Sequence, residues 1–103
     1  MSIVSLITVG DRKEAEEIAR RLVEEKLAAC VNIISPVRSI YRWKDRVEES
    51  GESMLIAKTE QRVFERMKRR VLELHSYEVP EIIALEISGG LKSYLDWVSS
   101  SVE

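Results

Sequence analysis

Apolar residues recur along this chain with two different periods, and the places where the period changes mark its elements. Ser2-Ile3-Val4-Ser5-Leu6-Ile7-Thr8-Val9 is a run of strand length that stops at Gly10-Asp11, as a buried strand entering a turn would. From there the spacing becomes helical through Ala15, Ile18, Ala19, Leu22, Val23 and Leu27. Asp11 with Glu14 makes a capping-box-like start, so a helix is predicted from about Arg12 to Leu27. Ala28 to Ile34 is again apolar and of strand length, Ser35-Pro36 interrupts it, and Val37 to Trp43 alternates. The simplest reading is two strands joined at Pro36, the second carried on through Lys44-Asp45-Arg46 to Glu49. Ser50-Gly51 then reads as a turn before a further strand, Ser53 to Lys58.

Thr59 is placed to cap a second helix whose buried stripe is Val63, Phe64, Met67, Val71 and Leu74, ending close to His75. Ile82 to Ile87 reads as a strand, Ser88-Gly89-Gly90 as a turn, and Leu91, Tyr94, Leu95 and Val98 as a short terminal helix. There is no repeat and no low-complexity linker. The expected class is α+β, a split βαβ, ferredoxin-like sandwich of an antiparallel sheet with two helices on one face. The stretch from Ala28 to Glu49 is long for a small sheet, so its strands are expected to project with unpaired edges. Pairing with other subunits would cover them, and an oligomer follows.

With 103 residues, 45% of them hydrophobic, the chain has material for one core, and residues 1–103 are expected to form a single domain. A formal charge of −2 and a pI near 5.6 argue against a dedicated nucleic-acid binder. Arg66, Lys68, Arg69 and Arg70 are bracketed by Glu65 and Glu73 and read as a solvated helix face. Cys30 is the sole cysteine, so no disulfide can form within the chain, and a cytoplasmic location is expected. The N-terminal apolar run is too short to span a membrane and has no basic stretch before it, so it reads as structure rather than as an address. A phosphate-binding glycine loop, a CxxC pair, HExxH and a nucleophile elbow are all missing, and the expectation is a protein that is not an enzyme.

Polar chemistry gathers in one connection, Leu74-His75-Ser76-Tyr77-Glu78-Val79-Pro80-Glu81-Ile82. It holds the single imidazole, a phenol and two carboxylates, and Pro80 stiffens it. The blocks Leu27-Ala28-Ala29-Cys30-Val31-Asn32-Ile33, Ile40-Tyr41-Arg42-Trp43 with Glu48 downstream, Lys58-Thr59, and His75 to Glu81 with Pro80 occur in that order. In these four blocks, across nearly the whole chain, the sequence resembles the CutA divalent-cation tolerance proteins. The resemblance implies a small ferredoxin-like subunit with an extended hairpin of its second and third strands, assembled as a homotrimer. It also implies an architectural kinship to the trimeric PII-type signal proteins, which bind small ligands between subunits. The chain departs from the family pattern at Ser76, where proline is usual, at Asp45, where glycine is usual, and at Ser35-Pro36, where a Pro-Gly pair is usual. Asp45 still suits a turn or bulge, because its short side chain tolerates left-handed backbone.

Two sets of residues are candidates for a site. Cys30 and His75 are soft donors that suit copper(II), with zinc(II) second, and the resemblance makes a divalent metal ion the expected partner. One cysteine and one histidine are too few for a closed zinc site, so such an ion would be held weakly or between subunits. The plain alternatives are a buried core cysteine and a histidine that ends a helix. The second set is a cleft between subunits lined by Trp43, Lys58, Tyr77 and Glu81, with Glu48 nearby. Its mixture of charges and rings suits a polar organic ligand better than a bare cation. Tyr41 and Trp43 share one strand face and read equally as interface packing. The expected function is copper binding in divalent-cation tolerance by a homotrimer, with no nucleic-acid, membrane or identifiable protein partner. The alternatives are a small-molecule sensor or enzyme with an intersubunit cleft, and a purely structural trimer.

Overall fold

A computed structural model describes residues 1–103. Strand β1 (Ser2–Val9) leads into helix α1 (Arg12–Glu24), and β2 (Cys30–Trp43) turns into β3 (Arg46–Glu60). A 3-10 turn, Gln61–Val63, enters helix α2 (Phe64–Leu74), and β4 (Ile82–Glu86) and helix α3 (Lys92–Ser100) complete the chain. The sheet order is β2-β3-β1-β4 with every neighbouring pair antiparallel, which is the ferredoxin-like arrangement expected.

Register explains the layers. Ile3, Ser5, Ile7 and Val9 of β1 oppose Thr59, Ala57, Leu55 and Ser53 of β3, and all eight are buried. This is the sheet face that α1 covers with Ala15, Ile18, Ala19 and Leu22, and α2 with Met67 and Val71. The alternate residues, Val4, Leu6 and Thr8 with Lys58, Ile56 and Met54, point to the other face. There Ile34, Ile83 and Leu85 stay about half exposed.

Helix α1 starts as expected, with the Asp11 carboxylate accepting from Glu14 N–H at 3.2 Å. It ends three residues early, because Lys26 adopts a left-handed φ of 60°, the conformation that commonly terminates helices. Leu27 is buried outside the helix. Thr59 does not cap α2. It lies in β3, fully buried, and its hydroxyl donates to the Leu27 carbonyl at 2.7 Å, which ties the end of β3 to the chain leaving α1.

The middle of the chain differs most from expectation. Ser35-Pro36 does not join two strands. Ile34 pairs with Met54 and Val37 with Glu52, so two residues of β2 oppose Ser53 alone, and the break is a bulge inside one continuous strand. The reversal falls at Lys44-Asp45, with φ of 51° and 64°, and not at Ser50-Gly51. Two consecutive positive φ values between strands make a type I′ hairpin, whose twist matches that of the strands. Gly51 sits opposite Arg38 in the ladder. β1 pairs with β3 no further than Ser53, so Val37–Trp43 and Arg46–Glu52 form a ribbon with both edges unpaired. At about 3.3 Å per residue the hairpin strands are about 45–50 Å long, and they set the 44 Å long dimension of the molecule.

Replacing Thr59 by valine keeps its shape and removes the donor to Leu27. The expected loss is about 1–3 kcal/mol, the cost of a buried carbonyl left without its partner. It would be read as a lower urea midpoint at unchanged slope.

Candidate functional site

The connection from α2 to β4 is held by two side chains acting on its backbone. The His75 side chain has no exposed surface. Its Nε2–H donates to the Thr8 carbonyl at 2.7 Å, and its Nδ1 accepts from Tyr77 N–H at 3.0 Å. These two bonds specify the neutral tautomer with the proton on Nε2. Glu14, the third residue of α1, does not return its carboxylate to the cap. Its Oε2 accepts instead from Ser76 N–H at 3.0 Å and from the Ser76 hydroxyl at 3.1 Å. Proline at this position could supply neither donor. Ser76 therefore replaces a rigid ring with two hydrogen bonds to α1.

With Ser76 and the Tyr77 backbone so held, the Tyr77 phenol runs past Gly10 to β3 and its hydroxyl donates to Glu52 Oε2 at 2.8 Å. A methyl group on residue 10 would stand 2.5 Å from that hydroxyl, so a glycine after β1 is what lets the ring pass. Glu52 is 9% exposed. It shares the helix-free face of β3 with Met54 and Ser50, and Ser50 donates to Tyr41 Oη at 3.3 Å. Between the connection and the ribbon lies a groove of about 670 Å³ lined by Thr8, Arg38, Ser39, Ile40, Tyr41, Trp43, Glu52, Tyr77, Glu78, Val79 and Glu81. That volume is within the range of small-molecule sites.

The structure thus brings together Trp43, Tyr77 and Glu81 of the predicted cleft and leaves out Glu48 and Lys58. Glu48 is opposite Tyr41 towards the hairpin tip. Lys58 is six residues along β3 from Glu52, about 20 Å away in an extended strand, where it hydrogen-bonds Asn32. The members missing from the sequence reading are Glu52, Arg38 and Thr8. Glu52 carried no distinguishing signal, because Glu48, Ser50 and Lys58 share its face of β3 with Met54 and Ile56.

Cys30 and His75 are not brought together within one chain. Cys30 pairs with Lys58, while His75 bonds to Thr8, whose partner on β3 is Met54. Four residues of strand, about 13 Å, separate the two positions. Both His75 nitrogens are already engaged, so neither presents a free lone pair. Cys30 is partly exposed, with its sulfur 3.9 Å from Asn32 Oδ1. Burial first, and Cys30 beside it second, push the Tyr94 phenol above its ordinary value. No three His, Cys, Asp or Glu side chains converge as a metal site.

Burial of the Tyr77 hydroxyl, then its hydrogen bond to Glu52 and the charge of that carboxylate, push the phenol from 10.0 up to about 12. The neutral form is the one favoured by folding. Its contribution to stability is therefore complete below about pH 10 and is lost as pH rises through about 12. Following phenolate absorbance against pH, with Tyr77→Phe to assign the transition, is expected to show this late titration. Glu52→Gln should return it towards 10.0.

The groove is lined largely by residues of the Ile40–Trp43 and His75–Glu81 blocks, and comparison with known proteins extends over nearly the whole chain. The family model described as "CutA1 divalent ion tolerance protein" matches residues 3–101. The "Divalent-cation tolerance protein CutA" of Thermus thermophilus is 51% identical over 98 residues, covering 95% of each chain. "Protein CutA, chloroplastic" of Arabidopsis thaliana is 44% identical over 97% of this chain, which spans 55% of that longer protein. The solved structure of the "Periplasmic divalent cation tolerance protein CutA" of Archaeoglobus fulgidus superposes with a TM-score of 0.96 at 43% identity, with both chains fully covered. Those names place relatives in different compartments, so the cytoplasmic expectation gains no support from them; no helix of this chain is long and apolar enough to cross a membrane. Sequence match over nearly the full length, together with superposition of the whole fold, shows that this chain belongs to the CutA1 divalent ion tolerance family.

Proposed function

We propose that this protein contributes to divalent-cation tolerance as a homotrimer that binds copper(II) at sites completed by a neighbouring subunit. The observation that carries the reading is the distribution of donors. Within one chain no three ligands converge, and His75 spends both nitrogens on the fold. Cys30 is the one thiol, and it is left partly accessible beside the Tyr94 phenol of α3. A thiolate suits copper, and the remaining ligands must come from another copy. The trimer is supported by the ribbon, whose edges are unpaired and whose Ile40 and Val47 are 66% and 68% exposed. A two-stranded ribbon with such side chains is stabilised by pairing or cover. Zinc(II) is the weaker candidate, because a closed zinc site asks for four such donors.

A second reading is favoured by the groove. Its rings and charges along the ribbon suit an organic ligand, and the site then acts as a sensor. No catalytic constellation accompanies it, and the proposal is for binding without turnover.

Sedimentation is expected to return three times the 11.9 kDa chain mass. Calorimetric titration of reduced, metal-free protein should show copper(II) binding that Cys30→Ser weakens by at least about tenfold, with zinc(II) weaker. His75→Ala is expected to act through lost stability, since it removes a buried ring with two hydrogen bonds. Copper(II) binding unchanged in Cys30→Ser would remove the metal site proposed here.

A further inference from the structure

Glu52 is a buried charge without a counter-charge. At 9% exposure a carboxylate ordinarily has a cation beside it, because taking it out of water costs several kcal/mol unless it is paired. Glu52 takes part in no ion pair. Its single hydrogen bond comes from the neutral Tyr77 hydroxyl, on Oε2, and Oε1 has no donor from the protein. Since no fully buried side-chain oxygen in the chain lacks a partner, Oε1 opens on solvent. Glu52 borders two depressions. One is a shallow one of about 260 Å³ that Arg12 also lines, its guanidinium directed to Glu16 at 3.6 Å, and the other is the groove of about 670 Å³ with aromatic walls.

The larger groove carries more carboxylates than cations among its lining side chains. Its one cationic lining residue, Arg38, gives its guanidinium to Glu49, which leaves Glu52, Glu78 and Glu81 uncompensated. Tyr41 and Tyr77 offer ring faces, which attract organic cations electrostatically, while the Trp43 ring already has Lys44 Nζ over it at 6.0 Å. A bare divalent ion would have no use for those rings and would find no third ligand. An anion would meet carboxylates.

We infer that the groove takes a small organic cation, an amine or guanidinium compound, whose charge pairs with Glu52 and whose body packs on Tyr41 and Tyr77. This rests on the second reading above, that the groove holds an organic ligand, and does not depend on copper at Cys30. The amine displaces solvent from Oε1 and supplies the missing counter-charge, while the hydroxyl of Tyr77 keeps Oε2 in place.

The test is calorimetry on the full chain, in the presence of a chelator, with butylamine, agmatine and tetramethylammonium. Butanol and butyrate serve as the neutral and anionic counterparts. The expected result is binding by the cations alone. It should weaken at least about tenfold in Glu52→Gln, which keeps the volume and an acceptor for Tyr77 but not the charge. Tyr41→Ala should weaken tetramethylammonium about threefold or more, and it decides the matter if Glu52→Gln fails to fold. Equal affinity in the parent and both variants overturns the inference. Butyrate binding in place of the cations overturns the charge assignment and leaves the groove as an organic site. No binding by any of the five probes removes the groove reading as well. If, in addition, Glu52→Gln alters the sedimenting mass, the counter-charge of Glu52 is a cationic side chain of a neighbouring copy.

Discussion

The buried imidazole of His75 is the interaction on which the site depends. One nitrogen donates to the backbone of β1 and the other accepts from the backbone of the residue that carries the phenol. In a low-dielectric interior each of these bonds is costly to leave unmade, so the α2–β4 connection is fixed to the end of β1. Fixing it there decides where Tyr77 emerges. It also brings Ser76 onto Glu14, so that both helices' ends and the first strand meet at one point. A histidine that looks from its neighbours like a ligand is a structural crosslink, and it earns its place by orienting the residue two positions later.

From that point outward the chain is more open. Tyr77 reaches Glu52 through the gap left by Gly10, and Glu52 is the last β3 residue before the ribbon leaves the sheet. The ribbon is reversed by Lys44-Asp45 in left-handed conformation and bent by the bulge at Ser35-Pro36. Neither of its edges has a partner strand. The groove therefore lies at the junction of the most constrained part of the molecule and the least constrained, where a ligand or a second chain touches both.

The charges divide in the same way. On the helices they are spent on one another: Arg70 with Glu25 and Glu73, Arg21 with Glu17 and Glu25, Lys68 with Glu65. Exposed pairs of this kind contribute little each, about 0–1 kcal/mol. Arg62 is used differently, donating to the Ser99 and Glu103 carbonyls so that α3 is closed onto the start of α2. At the groove the carboxylates outnumber the cations, and the imbalance sits beside aromatic rings.

Local and periodic signals were sufficient for much of this structure. The helical stripe from Ala15 to Leu22, the strand of Ser2 to Val9 and the end of α2 at His75 are read from spacing alone, because burial on one face repeats with the element's own period. The tolerance of Asp45 for left-handed backbone was likewise legible from its side chain. Three features were decided by tertiary contacts. Ser50-Gly51 has turn composition yet lies in a strand, since cross-strand pairing with Ser39 and Arg38 outweighs a dipeptide's preference. Thr59 has the composition of a cap, yet a buried carbonyl 32 residues away claims its hydroxyl. The site was partly legible: Trp43, Tyr77 and Glu81 border one groove within a single chain, where a cleft between subunits was expected, while Glu48 and Lys58 fall elsewhere and Glu52 enters. Which residues of a strand reach a distant loop depends on sheet register and on the bulge that shifts it, and register is set by pairing across the fold rather than by neighbours along the chain.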